Sequence, residues 1–346
     1  MNGCGVAVVS VTRGGFVESV HRVHVAVADA SGGLLAAAGD PQRFAFWRSS
    51  AKPLQALCLV ESGAAAAFGL ESADLAIACG SHTGTAAHVA AARHLLARAG
   101  RVPADLECGP HPPEDPAAAA ALSAQGLPPQ PLHNNCSGKH AGMIASCVHA
   151  DWPVAGYLAP EHPLQRWIRA AVVDVTGVEP VGGVDGCGVP TFGLPLAAMA
   201  VAYARLASGT GLPAGRAVAA DRLAAAMAAY PEAVAGPAHA NTLLLALHGG
   251  GLLTKGGAEG VWCAGLRGAG AGLGIALKVE DGAGRAAVPV LCAVLDALRL
   301  PGGGDPRLEG LRRPELRNTR GSVVGGLVVE LPEGFAATRQ GTAGQP

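Results

Sequence analysis

The sequence is short of lysine. Of 25 basic side chains only Lys52, Lys139, Lys255 and Lys278 are lysines; the other 21 are arginines. Charge as a whole is scarce, at 15% of residues, and nearly balanced, with a formal net charge of −1. No basic tract longer than a few scattered arginines exists, which argues against a nucleic-acid or polyanion partner. There is no CxxC pair, and nine cysteines are an odd number. Both facts argue against a disulfide framework and for a reducing, cytoplasmic setting. The opening MNGCGVAVVSVTRGG has no charged segment ahead of an apolar one, so no secretory signal is expected. The longest uncharged apolar stretch, 189–204, contains Gly193 and Pro195 and is short for a bilayer span; a buried helix is expected there. No repeat of fixed period is present.

What is there is apolar material. Half of the 346 residues are hydrophobic, enough for a full core in one large domain or two interwoven lobes. HRVHVAVADASGGLLAAAGD reads as a strand, a Ser31-Gly32-Gly33 turn and a returning strand. Lys52 opens the apolar helix PLQALCLVESGAAAAFGL, with Pro53 tolerated in its first turn. AAHVAAARHLLARAG is an amphipathic helix ending at Gly100. Residues 101–133, rich in Pro and Ala, read as a surface excursion. Further helices are expected around 138–149, 162–176, 191–207, 217–230 and 240–248. Three strand-like stretches follow, GLLTKGGAEGVWCAGL, GLGIALKVED and SVVGGLVVEL, with the helix AVPVLCAVLDALRL between the last two. Strands at both ends and helices between them predict an α+β, or mixed α/β, domain. One antiparallel sheet would be built from both termini, over roughly 1–50 and 250–335, and a mostly helical lobe would span roughly 51–249. The tail, 336–346, is expected to be disordered.

A lysine, unlike an arginine, can lose its proton near neutral pH and serve as a base or a metal ligand. Four leftover surface lysines are the competing explanation, and the neighbours of each decide. In RSSAKP, Ser49 and Lys52 are three apart and share a face at a helix start. A lysine there meets the positive end of the helix dipole, which disfavours its charged form. An amine freed of its proton makes a neighbouring serine a nucleophile, and S-x-x-K is the motif of serine β-lactamases and penicillin-binding proteins. The plainer reading is Ser50 as helix cap and Lys52 in solvent.

In CGSHTGTAAHV, residues 79–89, Ser81, Thr83 and Thr85 are candidate caps whose free amides also suit a carboxylate; His82 is a candidate base. HNNCSGKHAGM, residues 133–143, offers Asn134, Asn135 and Ser137 as caps and puts Cys136, Lys139 and His140 on one helical side. GVDGCGVPTFG, residues 183–193, is a glycine turn carrying Asp185 and Cys187. Two thiolates and one nitrogen donor would make a three-ligand zinc site, although the spacing matches no standard zinc motif; two buried thiols beside glycine turns is the alternative. LLTKGGAEGVW puts Lys255 at a strand end, where it would protonate a leaving group or activate a second serine. Lys278 beside Glu280 and Asp281 reads as a surface pair. The remaining cysteines in apolar runs, Cys58, Cys147, Cys263 and Cys292, read as small buried hydrophobes.

Taken together, RSSAKPLQAL, GSHTG, NNCSGKHAGM, VDGCGVPTFGLPL, LLTKGGAEGV and GIALKVEDG resemble the rhizobial-type L-asparaginases, also called asparaginase II or class 3. VESVHRVHVAV and LRNTRGSVVG look similar too, and the resemblance runs over about 15–330. It implies a fold like that of the serine β-lactamases and hydrolysis of L-asparagine to L-aspartate and ammonia. It implies Ser49 as nucleophile with Lys52 as base, and Ser81 with Lys255 as a second pair. Cys136, Lys139 and Cys187 would match the family's zinc ligands, with Asp185 positioning Lys139 and the zinc assisting the chemistry rather than driving it. Arg48 and His82 would bind substrate. A cytoplasmic homodimer without an organic cofactor, and without a membrane or nucleic-acid partner, completes the expectation. Thr85 departs from the pattern, which usually has Glu at that place, and this bears on substrate choice. The rival readings are a zinc hydrolase in which the metal activates water, an amidase on another small amide, and a non-catalytic amino-acid-binding member of the same fold.

Overall fold

Short runs of alternating apolar and small polar residues set the strands, and the computed structural model describes residues 5–268, 272–300 and 304–335. The expected disordered tail, 336–346, lies outside them. The strands are, in chain order, β1 (Ala7–Arg13), β2 (Phe16–Asp29), β3 (Leu34–Ala38) and β4 (Phe44–Phe46). β5 (Val181–Val184) and β6 (Pro190–Pro195) follow, then β7 (Leu252–Gly256), β8 (Val261–Leu266) and β9 (Leu273–Val279). β10 (Glu315–Arg317) and β11 (Val323–Glu330) end the series, so the fold is mixed α/β. The chain divides into two units. One comprises Met1–Ser50, Leu194–Gly211 and Leu247–Pro346; the other comprises Ala51–Gly193 and Leu212–Ala246.

The first unit is built on an antiparallel sheet in the order β10-β11-β1-β2-β9-β8-β7, with β3 also paired to β2. β1 alternates buried and half-buried residues and pairs with β11, Val8 opposite Glu330 and Val11 opposite Leu327. The two termini therefore share one sheet, as expected. The second half of β2 is almost wholly buried, because β9 flanks it and the helix Leu196–Ser208 packs on β2, β8 and β9. That helix sits low on the sheet. Gly265 and Gly274 face each other in register, and a Cβ on either would overlap the carbonyl of Tyr203 or Ala200. The helix Ala287–Ala297 packs against β8, β9 and β11.

Two expectations change here. The stretch 251–266 is a hairpin of β7 and β8, because Glu259 and Gly260 take φ of 60° and 66° and reverse the chain. The stretch 189–204, expected as one helix, begins as strand β6; its helix starts only at Leu196. Pro195 is extended at φ −62°, ψ 146° and cannot lie inside a helix, so it stands as the cap. With this helix, residues 194–211 cluster with the sheet.

The second unit is mostly helical. Its central helix, Ser137–His149, buries eleven of its 13 residues and contacts the helices Ala86–Arg98, Ser72–Ala78 and Pro163–Thr176. Gly138 lets it cross Ser72–Ala78 closely, since a Cβ there would overlap the Ile77 carbonyl. The excursion 101–133 carries one short α-helix, Pro116–Ala124, none of whose residues is buried, and two single 3-10 turns, Pro103–Asp105 and Pro131–His133. β5 and β6 pair antiparallel, Val181 opposite Gly193 through Val184 opposite Pro190. The eight described cysteines are all buried and none forms a disulfide. Among the described residues no helix is long and apolar enough to cross a membrane.

Substituting Gly274→Ala forces the helix Leu196–Ser208 off the sheet. We expect a loss of roughly 1–3 kcal/mol in chemical denaturation, with Ala276→Gly, two residues along β9, as a control that leaves the seat open.

Candidate active site

Lys52 is fully buried, at 0% exposure, so the solvated reading of it does not hold. A buried amine needs acceptors. In the second unit Lys52 Nζ donates to the carbonyl of Gly80 (2.5 Å), to Ser81 Oγ (2.7 Å) and to the carbonyl of Asn135 (3.4 Å). The segment that presents Ser81 is itself fixed: Ser81 N donates to the Val234 carbonyl at 2.7 Å. Gly80 is required there, because a Cβ would lie 2.8 Å from the Ala233 carbonyl.

His82 is also fully buried. Its Nδ1 accepts from Gly84 N (3.2 Å), so Nε2–H donates to Ser137 Oγ (2.9 Å), and Ser137 in turn donates to the Leu132 carbonyl (3.0 Å). The ring stacks on His88 at 4.9 Å. Burial first, then the neighbouring His88 and Lys52, hold His82 well below the ordinary histidine value, so the ring is neutral. Both its nitrogens are engaged by the chain, and their effect is to tie the Ser81 loop to the start of helix Ser137–His149. Thr85 caps the helix Ala86–Arg98, as one of the three hydroxyl residues was expected to: its Oγ1 accepts from His88 N (3.4 Å) and bonds to His88 Nδ1 (2.7 Å). None of Asn134, Asn135 and Ser137 caps the next helix by side chain; Cys136 occupies that position. The Asn134 side chain instead accepts from Cys136 N at 2.9 Å.

Cys136, Lys139 and Cys187 come together in the same unit. Each is at most 6% exposed, and Lys139 Nζ donates to Cys187 Sγ at 3.0 Å. A hydrogen bond from Cys187, helped by the neighbouring Lys52 and Lys139 amines, holds the Cys136 thiol well below its ordinary value despite burial. The same bond, seen from its other end, pushes Cys187 up, as does burial. Burial works against the charge on Lys139, but Cys136, Cys187 and Asp185 outweigh it and keep the amine protonated. Two sulfurs and one nitrogen are a donor set that suits zinc and would leave a fourth position for an outside ligand, once the metal has displaced the Lys139 proton. Among the described residues no cluster of three His, Cys, Asp or Glu could hold a metal ion.

The remaining candidates belong to the first unit. Ser49 is half-buried in a tight turn, Arg48–Ala51, that runs directly into the helix Lys52–Gln55. Arg48 takes φ +52°, a left-handed conformation strained for any residue but glycine. Ser50 is not a helix cap; it is buried, and its Oγ donates to the Lys255 carbonyl at 2.9 Å. Lys255, 2% exposed on β7, donates from Nζ to the Gly256 carbonyl at 2.8 Å. Lys278 does not pair with its neighbouring acids. It donates to the Glu259 and Val279 carbonyls, while Glu280 and Asp281 bond to His24 (2.7 Å) and His21 (2.6 Å). Residues that motif reading left out are Ser50 as an anchor, Ser137 as the partner of His82, and Tyr203, whose hydroxyl donates to the Ser50 carbonyl at 2.7 Å. Nothing near Tyr203 in the sequence signals this, because its partner lies 153 residues away.

A buried lysine on a serine hydroxyl is an arrangement that can draw the proton from a serine once the amine is neutral. The chain matches the family model of L-asparaginase II over residues 9–329, and it belongs to that family. Among solved structures it is similar to Mglu in its native form, at 16% identity over 83% of this chain and 66% of that one, with a TM-score of 0.45. It is also similar to Mglu in its tris and glutamate form, at 16% identity over 82% and 60%, with a TM-score of 0.44. The chain thus spans just under two thirds of the length of the Mglu chains. No curated protein matches it.

Removing the cap by Thr85→Ala should lower stability by about 1 kcal/mol in thermal or chemical denaturation and leave activity at 25 °C within a factor of two or so. A large loss of activity without a loss of stability would instead give Thr85 a part in substrate handling.

Proposed function

We propose that the protein hydrolyses the side-chain amide of L-asparagine, giving L-aspartate and ammonia, by serine–lysine acyl transfer. The observation that carries this reading is Lys52, wholly buried yet hydrogen-bonded to Ser81.

In this reading Ser49 Oγ attacks the amide carbon and passes its proton to the Lys52 amine. Backbone amides hold the developing oxyanion, a contribution of roughly 3–4 kcal/mol per donor in other hydrolases. The carbon–nitrogen bond then breaks and the ammonia leaves with a proton from a lysine. Water attacks the acyl ester, and its proton restores the serine hydroxyl. Ser81 and Lys255 serve as the second pair, Arg48 holds the substrate carboxylate, and we assign His82 to bracing the Ser81 loop. A β-lactamase-like arrangement of the sheet, a homodimer and a cytoplasmic location go with this proposal. Cys136, Lys139 and Cys187 would hold zinc, which supplies a Lewis acid when bound; Asp185 helps to hold Lys139 in place.

The Lys52–Ser81 hydrogen bond also favours a second reading, in which Ser81 is acylated and Ser49 assists. Mass mapping of the acyl enzyme separates the two. Under the first reading, Ser49→Ala abolishes nearly all ammonia release while folding is kept, and the acyl group maps to Ser49. A Ser49→Ala protein that keeps half of its activity would remove Ser49 from the nucleophile role.

Metal removal distinguishes this route from a zinc hydrolase. With zinc in an assisting role, protein dialysed against a chelator keeps turnover, at most several-fold reduced. Complete loss that zinc restores would make a metal-activated water the nucleophile.

A further inference from the structure

The turn that carries Ser49 is strained at Arg48, and such a conformation persists only where its surroundings over-determine it. The first unit supplies that restraint at one residue, Ser50, which is 0% exposed and has every polar group engaged. Its N–H donates to the Trp47 carbonyl (3.2 Å), its carbonyl accepts from the Tyr203 hydroxyl (2.7 Å), and its Oγ donates to the Lys255 carbonyl (2.9 Å). Trp47, fully buried, packs its ring against Tyr203 at 6.3 Å between centroids. Gly257, just after β7, keeps the space open: a Cβ there would meet Ser50 Oγ at 3.0 Å and the Trp47 carbonyl at 3.1 Å. Tyr203 in turn is placed by the low seat of its helix on Gly265.

We infer that Tyr203 and Ser50 are positioning residues, which fix the Trp47–Ser50 turn so that Ser49 and Lys255 are held in register. This rests on the reading of Ser49 as the nucleophile. Neither hydroxyl is needed to form the helix or the sheet. The Tyr203 hydroxyl tethers the turn to the helix Leu196–Ser208, and the Ser50 hydroxyl tethers it to β7. A loosened turn still folds, but its serine is held less well, and misplacement by about 1 Å costs on the order of 100-fold in rate.

The test uses Tyr203→Phe, which removes one oxygen and keeps the ring against Trp47, together with Ser50→Ala. Each purified protein is assayed for kcat, KM and melting temperature, and for its rate of covalent labelling by a serine-reactive fluorophosphonate, with the labelled residue mapped. We expect Ser49 to be labelled, and both kcat and the labelling rate to fall about 10- to 100-fold in Tyr203→Phe, with KM within about twofold. A lower melting temperature with unchanged kcat and labelling rate at 25 °C makes the role purely structural and overturns the inference. If Ser50→Ala does not fold, Tyr203→Phe decides alone. Wild-type protein whose Ser49 is never labelled overturns the nucleophile reading and this inference with it; labelled wild type with an equally fast Tyr203→Phe overturns this inference only.

Discussion

Burial of Lys52 is the constraint on which the second unit depends. An amine without solvent must find acceptors, because an unpaired buried charge or donor costs far more than the hydrogen bond it lacks. The acceptors come from segments distant in sequence: the 80–81 turn, 28 and 29 residues on, and Asn135, 83 residues on. Each of those segments needs its own fixing. The Val234 carbonyl holds Ser81, and the bridge through His82 and Ser137 holds the loop to the central helix. Gly80 and Gly138 allow the close backbone approaches that bring these pieces together. The same neighbourhood sets the Cys187 thiol and the Lys52 and Lys139 amines near Cys136 and lowers its pKa. One buried amine thus organises two loops, a helix start and a thiol.

The first unit works through contact rather than charge. Glycines at 265 and 274 let a helix lie directly on the sheet, and that helix carries Tyr203 to the Ser50 carbonyl. A strained turn is affordable there because several rigid elements converge on it. This is how backbone strain is maintained in folded proteins generally: the cost is local, and the restraint comes from packing that has other reasons to exist.

Much of the candidate site was legible because it is written in residue types with few uses. Lysine is rare in this chain, so three lysines among glycines and hydroxyls stood out, and all three, Lys52, Lys139 and Lys255, are buried. Lys278, set aside by its neighbours, is half-exposed. The blocks around Cys136 and Cys187 suggested a shared cluster, and the two thiols do meet Lys139. Less legible was 189–204, where an unbroken apolar run concealed a strand followed by a helix. Apolar content reports burial, and only the extended Pro195 marks the change. The Lys278 pairing also misled, since β9 ends at Val279 and Glu280 and Asp281, just beyond it, turn to histidines of β2.

By itself the sequence determined the local signals: the Thr85 cap, the alternation of β1, the helical period around Lys139 and the order of the chemical blocks. These depend on neighbours within a few residues, whose spacing the backbone geometry dictates. The tertiary structure alone decided which hydroxyl meets Lys52, which carbonyl meets Tyr203, and which glycines serve close approach rather than a turn. Those choices are made between segments tens to hundreds of residues apart. They turn on distances of a few tenths of an ångström, and the local pattern contains no record of them.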